Sequence, residues 1–413
     1  MPRSAPSHGS HAASAVSLAG PPLPRGPVLD WSSFQRTSAP GIHSVEKLPH
    51  TLFTTSGRAA IYQALLLLKL APGSTVLVPT YHCPTMVAPV LLAHLTPAYF
   101  PIGEDGLPML ARISADVIAS TKAIIVAHYF GLPRSLAKVR AWCDQHGIAL
   151  IEDCAHCYFG EAGERPVGAW GDFATASLSK FFPVPEAGLV ASRQRPIEAL
   201  PLSGAPARLQ VKGWIDVLEL ATKYQRLAGL NRVLALLFGL KNARAGVALG
   251  AMKQAVNTDA EADMMRDCDM GRIDQKPLGA AMTLKAILPR GRVILQRQKN
   301  YRIYDRLLSD AKGARPLFSM PTTAVAPYVF PLWVDDADRV YHALKALSLP
   351  VFRWDRIWRG TPSDPSDAGP KWSRHVLQLL CHQDLSEADT TRIAMATLQL
   401  LGDARQTFPV PPA

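Results

Sequence analysis

Residues 151–192 read IEDCAHCYFGEAGERPVGAWGDFATASLSKFFPVPEAGLVAS, and they decide the interpretation of the whole chain. One apolar run ends at the acidic residue Asp153, and a second, residues 173–178, ends at Lys180. Short apolar runs bounded by glycine and proline are typical of buried parallel strands. Ligands of an open α/β sheet bind outside the carboxyl ends of such strands, where we expect both charged residues to lie.

Lys180 and Asp153 are suited to one particular chemistry. A lysine amine can form a Schiff base with pyridoxal phosphate, whose pyridine nitrogen needs an acidic partner to stay protonated. The protonated ring then withdraws electrons from the substrate carbon. From this stretch alone, a charge pair without any chemistry is an equally good interpretation, so other segments have to decide.

Composition and charge exclude several classes of protein. The chain has 413 residues, 48% hydrophobic and 19% charged, which suits a large core and two domains. Its net charge of +11 favours anionic partners. Because no basic run with interleaved aromatics and no zinc-finger spacing occurs, nucleic acid is not an expected partner. No run of about 18 uncharged apolar residues occurs, so no membrane-spanning helix is expected.

The six cysteines are scattered and fit no disulfide framework. We therefore expect reduced thiols and a cytoplasmic location. Cys154 and Cys157 form a CxxC pair, which can bind zinc or exchange disulfides in other proteins. No second CxxC occurs, so we interpret this pair as small residues in the wall of a site and predict no metal.

A helix is predicted to begin at Ser56 or Thr55 and to continue through the apolar residues 59–68. Its first turn contains Gly57 and Arg58. Free N–H groups and the positive end of the helix dipole can bind a phosphate there. Taken alone, these residues are better explained as an ordinary N-cap.

Buried strands are predicted at residues 75–78, 98–100 and 123–127, with helices between them. Strands that alternate with helices predict an α/β fold with a mostly parallel sheet. Tyr81 or His82, after the first of these strands, could stack on a flat cofactor ring, although a partly buried loop aromatic is an equal alternative.

The second half of the chain is less informative. Residues 207–253 are helical in pattern and carry eight lysines and arginines against two acidic residues. A solvated helix face is the simpler interpretation, and contact with a membrane surface is the alternative. Residues 259–269 are acidic and predict a loop. Residues 280–288 and 292–308 predict helices.

Three divisions of the chain are predicted. Residues 1–28 are rich in Ser, Pro, Ala and Gly and predict a disordered tail. Residues 29–290 form a large cofactor-binding domain with a helical insertion at about 207–253. Residues 291–413 form a smaller C-terminal α/β domain. A strand at residues 329–334 of that domain contains a proline and is therefore predicted at a sheet edge.

Together these segments resemble the DegT-type sugar aminotransferases, which are fold-type I enzymes dependent on pyridoxal phosphate. The resemblance runs from about residue 54 to residue 192, and more faintly from residue 280 onward. No single marker is specific, but their order is. The markers are Ser56-Gly57-Arg58-Ala59-Ala60, Val78-Pro79-Thr80-Tyr81, Ala127-His128-Tyr129-Phe130-Gly131-Leu132-Pro133, Ile151-Glu152-Asp153-Cys154-Ala155-His156, Gly168-Ala169-Trp170-Gly171-Asp172, and Ser177 with Lys180.

The resemblance implies a fold and a set of roles. The expected fold is a large domain around a mostly parallel seven-stranded sheet, a smaller C-terminal domain, and a homodimer. Lys180 corresponds to the Schiff-base lysine and proton carrier, and Asp153 to the partner of the pyridine nitrogen. The cofactor-binding residues that it implies are Ser56, Gly57, Arg58, Tyr81, Asp153, His156, Ser177 and Lys180, with Glu186 as the acidic residue after the lysine loop and Cys83 as an alternative to Tyr81 over the ring.

The chain also departs from the family pattern. The family usually has threonine where Arg58 stands, and two glycines where Ala187 and Gly188 stand. A clear Gly-Asn-Tyr-Arg segment is not found, and the insertion at 207–253 is not typical. The resemblance therefore supports the cofactor chemistry better than it supports a sugar substrate.

The sequence accordingly predicts an aminotransferase that moves an amino group from an amino acid, by resemblance glutamate or glutamine, to a keto acceptor such as a nucleotide-linked keto-sugar. One alternative is a pyridoxal phosphate enzyme with another reaction, such as dehydration. Family members of that kind lack the lysine, so Lys180 argues against it. The other alternative is a non-catalytic or regulatory protein that keeps the fold.

Overall fold

The computed structural model describes residues 20–39, 41–198, 201–245, 260–319 and 325–402. Most of the predicted disordered tail, residues 1–19, lies outside the described residues, as does part of the predicted insertion, residues 246–253. The described end of the tail is packed: Leu23 and Val28 are both buried.

The strands are short and are concentrated in the first half of the chain. They are β1 (His50–Thr54), β2 (Thr75–Pro79), β3 (Thr96–Phe100), β4 (Thr121–Ala127), β5 (Ala149–Asp153), β6 (Glu161–Ala162), β7 (Arg165–Pro166), β8 (Phe173–Ser177), β9 (Gly188–Ser192), β10 (Ala314–Pro316), β11 (Val329–Val334), β12 (Val351–Phe352) and β13 (Val376–Leu380).

Helices alternate with the first strands and dominate the chain after residue 200. They are α1 (Gly57–Leu67), α2 (Pro84–Leu92), α3 (Ala115–Ser120), α4 (Ala137–His146), α5 (Ala207–Lys223), α6 (Asn231–Ala245), α7 (Ala260–Asp267), α8 (Gly279–Ile287), α9 (Arg290–Leu308), α10 (Ala337–Ala346), α11 (Ala368–His375) and α12 (Glu387–Gly402). Single 3-10 turns lie at Trp31–Phe34, Val45–Lys47, Leu110–Arg112 and Tyr129–Gly131.

The large sheet of the described chain has seven strands in the order β1-β9-β8-β5-β4-β2-β3. Strands β3, β2, β4, β5 and β8 are parallel, whereas β9 runs antiparallel to both β8 and β1. The parallel strands read as continuous apolar runs because both faces of such a sheet are covered. The predicted α/β class and the mostly parallel seven-stranded sheet are confirmed.

The topology brings several strand ends to one edge of this sheet. The carboxyl ends of β2, β4, β5 and β8 meet there because these strands are parallel. The strand β1 points the same way, so the N-terminus of α1 lies at the same edge. Gly188 of β9 packs closely against the start of this helix, since a Cβ on Gly188 would lie 2.1 Å from the carbonyl oxygen of Ser56. Glycine is therefore required at position 188.

The second sheet is antiparallel and has the order β10-β11-β13-β12 in the described residues. The predicted edge position of the proline-containing strand is wrong, because β11 pairs with β10 on one side and β13 on the other. The proline is tolerated because β10 is only three residues long. The residues of β11 that pair with β10 end at Leu332, so Pro331 lies just beyond them. The Pro331 carbonyl accepts from the N–H of Leu317.

The helices α5 and α6 occupy the predicted insertion, and α8 and α9 follow close to their predicted bounds. The predicted loop at residues 259–269 is wrong, since α7 covers most of it. No helix in the described part of the chain is long and apolar enough to cross a membrane.

Candidate active site

A cleft of about 600 Å³, including its opening to solvent, lies at the carboxyl edge of the large sheet. Six of the eight predicted cofactor-binding residues line it: Gly57, Arg58, Asp153, His156, Ser177 and Lys180. The other two, Ser56 and Tyr81, are not among the lining residues. The cleft therefore collects side chains that are far apart in sequence.

Lys180 and Asp153 are placed on this cleft by the ends of two neighbouring strands, β8 and β5. The Asp153 Oδ1 atom accepts hydrogen bonds from the Ala155 N–H (2.9 Å) and from Thr175 Oγ1 (3.1 Å). Burial raises the pKa of Asp153, against the opposite effects of these bonds and of Lys180. Burial lowers the pKa of Lys180 from its usual value. A half-buried amine and a buried carboxylate thus face one space.

The N-terminus of α1 forms one end of the cleft. The Ser56 side chain caps the helix, because its Oγ accepts from the Ala59 N–H at 3.1 Å. A Cβ on Gly57 would lie 3.4 Å from the Cβ of Ser177, so the helix end and the end of β8 are in contact. The N–H groups of Gly57 and Arg58 make no hydrogen bond with the described residues. Such free N–H groups are an anion seat.

Arg58 carries two acidic partners at this end of the cleft. Its guanidinium forms a bidentate pair with Glu186, with 2.9 Å between Nη2 and Oε2, and its Nε donates to the Asp269 carbonyl at 2.9 Å. A longer contact of 3.4 Å joins it to the Asp269 carboxylate. The departure from threonine at position 58 therefore comes with ion pairs of its own, and one of the partners, Glu186, also lines the cleft.

Tyr81 lies behind the cleft rather than in it. It is fully buried in an aromatic cluster, with its ring centroid 5.4 Å from that of Tyr129 and 5.1 Å from that of Trp354. His82 is buried as well. Cys83, which lines the cleft, is the residue of this loop that reaches the space beside Lys180. The structure thus places Tyr81 away from the position expected for a stacking ring.

His156 is in the cleft wall and is surrounded by aromatic rings. Its ring stacks on Tyr328 with centroids 4.3 Å apart, and it lies 4.9 Å from the ring of Trp354. The Phe130 N–H donates to its Nδ1 at 3.3 Å. Burial and the nearby Lys180 hold the pKa of His156 well below its usual value. The imidazole is therefore neutral and available as a hydrogen-bonding group.

Trp354 and Tyr328 were not identified from the sequence. Trp354 follows β12 and lines the cleft directly, whereas Tyr328 precedes β11 and lies 5.3 Å from the Lys180 amine. Both come from the second sheet, more than 140 residues after Lys180 in the case of Tyr328. An aromatic residue beside a short strand carries no sequence signal for a site, so only the fold could find them.

Arg297 of α9 was also missed, and it holds the backbone of the candidate lysine. It is fully buried and donates to the carbonyl oxygens of Lys180 (2.6 Å) and Pro327 (3.1 Å) and to the side chain of Gln383 (3.0 Å). The only available sequence signal was its position in a predicted helix. Arg297 therefore ties the end of β8 to the second sheet.

Glu152 and His128 form a buried pair next to the cleft, 2.8 Å apart. The Glu152 carboxylate also accepts from backbone N–H groups of the turn after β7: those of Gly168 (2.6 Å), Trp170 (2.9 Å) and Gly171 (3.1 Å). Burial alone would raise the pKa of Glu152, but these partners lower it overall. These hydrogen bonds hold the turn after β7 against Glu152 at the end of β5.

Three possible metal ligands, from His128, Glu152 and Cys154, lie within 4.8 Å of one another. The glutamate oxygens already accept the hydrogen bonds described above, so they are directed at N–H donors. Burial raises the pKa of the Cys154 and Cys157 thiols well above the usual value. Because thiolates are the metal-binding and redox-active form, this cluster is better explained as packing and hydrogen bonding.

Comparison with known proteins finds a likeness in the first half of the chain. Residues 43–199 match the model of the DegT/DnrJ/EryC1/StrS aminotransferase family. The UDP-N-acetyl-3-dehydro-alpha-D-glucosamine 3-aminotransferase of Acidithiobacillus ferrooxidans is 32% identical over 164 residues, which are 38% of this chain and 44% of that protein. The match thus spans less than half of the curated relative. The predicted resemblance to the DegT-type aminotransferases is confirmed.

Solved structures extend the likeness to most of the fold. The aminotransferase TlmJ from Streptoalloteichus hindustanus superposes with a TM-score of 0.59 at 18% identity, covering 86% of both chains. The ntda protein of Bacillus subtilis, solved with the bound cofactor PMP, gives a TM-score of 0.56 at 15% identity over 86% of this chain and 74% of its own. At such identities the similarity establishes the fold alone.

Proposed function

We propose that this chain, which carries the DegT/DnrJ/EryC1/StrS signature in residues 43–199, is a pyridoxal phosphate-dependent aminotransferase. It would move an amino group from an amino acid donor to a keto acceptor, a nucleotide-linked keto-sugar. The observation that carries the proposal is the joint placement of Lys180, Asp153 and the α1 N-terminus around one cleft. An amine, a carboxylate and an anion seat are the three features that this cofactor requires.

The phosphate of the cofactor fits the α1 end of the cleft. Gly57 and Arg58 offer backbone N–H groups without partners in the described chain, and the Ser177 side chain stands against Gly57. The Arg58 guanidinium adds positive charge nearby, although Glu186 offsets part of it. The helix dipole favours a dianion at the same point. Ser56 would contribute indirectly, as the residue that caps and fixes this helix end.

The ring of the cofactor fits between the phosphate seat and Asp153. Only Oδ1 of Asp153 is engaged by described residues, which leaves Oδ2 for a pyridinium N–H. Burial raises the pKa of this carboxyl, and a cationic partner would lower it again and be held by it. His156 lies in the same wall and can contact the ring. The donor set therefore suits the proposed cofactor.

When bound, pyridoxal phosphate would supply an electron-withdrawing ring that stabilises negative charge on the carbon next to the transferred amine. The chain supplies the proton transfers. With its pKa lowered by burial, Nζ of Lys180 can take a proton from the α-carbon of the donor and return one to the acceptor carbon. The aromatic rings of Trp354 and Tyr328 lie beside this amine, and Arg297 donates to the backbone carbonyl of Lys180.

A nucleotide-linked acceptor is supported by two observations. The net charge of +11 favours an anionic substrate. The curated relative with 32% identity is described by its name as acting on a UDP-linked keto-sugar. Glutamate or glutamine as donor rests on family resemblance alone.

The half-reaction tests this proposal. We expect the purified chain with pyridoxal phosphate to convert the cofactor to its pyridoxamine form, seen by absorbance, when glutamate or glutamine is added. The Lys180→Ala variant should be slower by about a thousandfold or more, because it lacks the proton carrier. Lys299→Ala, at an exposed ion pair on α9, is the matched control and should convert at the normal rate.

Conversion by the Lys180 variant at the normal rate would contradict the proposed role of this residue. Cofactor binding without conversion by any amino donor would favour a non-catalytic protein that keeps the fold. The acceptor is tested separately, by offering UDP-, GDP- and dTDP-linked keto-sugars to the pyridoxamine form. Equal turnover of a keto-sugar with and without its nucleotide would remove the nucleotide from the proposal.

We further infer a homodimer and a cytoplasmic location. The dimer rests on family resemblance, and its mass should be twice 44.8 kDa in light scattering. The cytoplasm is supported by cysteines that form no disulfide in the described chain. A monomeric mass that persists with bound cofactor would refute the dimer.

A further inference from the structure

The helix α6 exposes apolar side chains on much of its surface. Val233, Leu236 and Leu237 are 57%, 66% and 55% exposed, and Leu230 in the turn before the helix is 44% exposed. Isolated apolar residues on a surface are normal, but a contiguous group of this kind marks an interaction site. Among the described side chains of this helix, residues 231–239, only Asn231 and Arg232 are polar.

The opposite sides of α5 and α6 are used to anchor them. Val217 and Ala221 of α5 belong to a buried cluster that also contains Leu284 of α8 and Val28 of the N-terminal arm, and Leu234 of α6 packs against it. The two helices are thus fixed to the body of the protein by one side. The apolar residues on the outer side are held outward and cannot collapse onto the core.

Trp31 lies at the base of this surface. It is 50% exposed, and its indole Nε1 donates to the Ala228 carbonyl at 3.0 Å, so it stands beside the turn between α5 and α6. Phe34, in the same 3-10 turn, is 40% exposed. Tryptophan is favoured where an apolar phase meets water, because its ring is apolar and its N–H is polar.

Basic side chains accompany these apolar residues. Residues 207–253 carry eight lysines and arginines against two acidic residues. Arg208 and Arg232 are exposed and join no ion pair in the described part of the chain, whereas Lys212 is paired with Asp216. Arg232, which is next to Val233 on α6, therefore adds a positive charge without an ion pair in the described residues to the exposed leucines and the tryptophan.

This combination fits a membrane surface better than a second copy of the chain. A two-fold symmetric contact would bring the same basic residues of both copies together, and like charges repel. An anionic bilayer offers acyl chains to the leucines and negative head groups to the arginines. With 15 residues, α6 is about 22 Å long, which is too short to span the roughly 30 Å hydrocarbon core.

We propose that α6, together with Leu230 and Trp31, docks this protein on an anionic lipid bilayer. The helix lies in the plane of the head groups, with Val233, Leu236 and Leu237 in the acyl boundary. This surface is separate from the cleft and does not depend on the proposed aminotransferase chemistry. A docked protein would act on substrates that are held at, or delivered to, a membrane.

Flotation of the full chain with vesicles tests the proposal. Vesicles of phosphatidylcholine are compared with vesicles of phosphatidylcholine and phosphatidylglycerol in equal parts. We expect flotation only with the anionic vesicles and a decrease as salt is raised, because salt screens the head groups. The double variant Leu236→Glu with Leu237→Glu should bind at least about tenfold more weakly, since it removes two apolar contacts and adds like charge.

The control variant is Leu347→Glu, which changes a 41% exposed leucine at the end of α10 and should float normally. Thermal unfolding checks that all variants are folded. The proposal is overturned if the unaltered chain does not bind anionic vesicles, or if the double variant binds as well as the control. It is also overturned if the double variant lowers the oligomeric mass in lipid-free light scattering while leaving vesicle binding intact, which would identify a contact between copies.

Discussion

Arg297 is a buried arginine that makes no ion pair with the described residues. Burial lowers its pKa to about 10, so it stays charged at neutral pH. Its charge is met by the carbonyl oxygens of Lys180 and Pro327, the side chain of Gln383 and the ring of Phe181, whose centroid is 4.6 Å away. A buried cation held mainly by neutral oxygens is costly, and we interpret it as a positioning residue for Lys180.

Arg297→Met is expected to destabilise the protein by about 3 kcal/mol, because two buried carbonyls lose their donor. Urea unfolding measures this loss. The positioning role predicts a second effect, a shift in the pH dependence of cofactor binding, since the Lys180 amine would move relative to Asp153.

Two comparisons separate positioning from packing. Arg297→Lys should restore part of the pH profile, because a lysine can still donate to one carbonyl. Arg302→Met, at an exposed arginine on the same helix, should leave both stability and pH profile unchanged. An unaltered pH profile in Arg297→Met would reduce Arg297 to a structural residue.

The sequence located the charged residues of the site but not those that hold them. Lys180 and Asp153 were predicted because each stands at the end of an apolar run, and parallel strands bring such ends together. Arg297 and Trp354 come from distant segments and have ordinary local contexts. Tyr81 satisfied the local pattern, yet packing with Tyr129 and Trp354 holds it behind the cleft.

His82 connects the loop after β2 to the segment after β12. Its Nδ1 lies 2.8 Å from the Pro79 carbonyl, and its Nε2 accepts from the Trp358 N–H at 2.9 Å. A proton on Nε2 would face an N–H donor, so the ring has to stay neutral. Burial lowers the pKa of His82 to about 4.

This geometry predicts an acid-sensitive contact. The folded chain binds fewer protons at His82 than the unfolded chain between pH 4 and 6.5, so its stabilising contribution is present above pH 6.5 and is lost as the pH falls towards 4. The difference in unfolding free energy between the unaltered chain and His82→Gln should therefore shrink by about 3 kcal/mol from pH 7 to pH 4. A difference that stays constant between pH 7 and pH 4 would contradict this account.

The turn after β4 makes a close backbone contact with the second sheet. Gly131 has a φ of 83°, and a Cβ on it would lie 2.2 Å from the backbone nitrogen of Tyr328. Gly131→Ala should destabilise the protein by about 3 kcal/mol through strain and overlap. Gly147 has a φ of 64° and open space around it, so Gly147→Ala introduces backbone strain without overlap. This variant should lose only about 1 kcal/mol of unfolding free energy, measured by denaturant unfolding. Equal losses of unfolding free energy in the two variants would show that the chain moves to relieve the overlap at position 131.

The elements that were predicted well are those whose structure is determined by their own residues. The strands β2, β4, β5 and β8 read as apolar runs because both faces of the large sheet are covered. The errors occurred where context decides: α7 forms in an acidic segment that also suits a loop, and β11 tolerates a proline because its neighbour β10 is short. The sequence of a segment does not show which elements will pack or pair beside it.

Asp384 joins three distant parts of the molecule. Its buried carboxylate accepts from the Val28 N–H (3.0 Å) and pairs with Arg292 of α9 (2.8 Å), and its backbone carbonyl accepts from Arg226 near α6 (3.0 Å). The N-terminal arm, the long helix and the insertion are thereby fixed to one loop of the smaller sheet.

Asp384→Ala should therefore lose about 2–3 kcal/mol of unfolding free energy, because the half-buried Arg292 loses its carboxylate partner and the Val28 N–H loses its acceptor. Limited proteolysis should also release the arm at residues 20–28 earlier than in the unaltered chain. Glu387→Ala removes an exposed ion pair with Lys299 and should change neither measurement noticeably. If Asp384→Ala behaves like this control, the arm is held by apolar packing alone.

We propose that residues 29–290 and 291–413 fold as the two domains expected from the sequence. The two sheets support this division, since each lies within one of the ranges. The contacts of Arg297, Gly131 and Asp384 cross it, so we expect one cooperative unfolding transition in calorimetry. Two separated transitions would show that the halves are energetically independent.

The position of β1 has a consequence for synthesis on the ribosome. Thr54 pairs with Gly188, so β1 cannot join the sheet until the polymerised chain has grown well beyond it. At about 5–20 residues per second, that interval is on the order of ten seconds. During it a nascent chain carries an unpaired strand and an unformed cleft, and exposed strand edges invite pairing between neighbouring polypeptides. Chaperone capture of stalled chains should be strongest before residue 188 has left the exit tunnel.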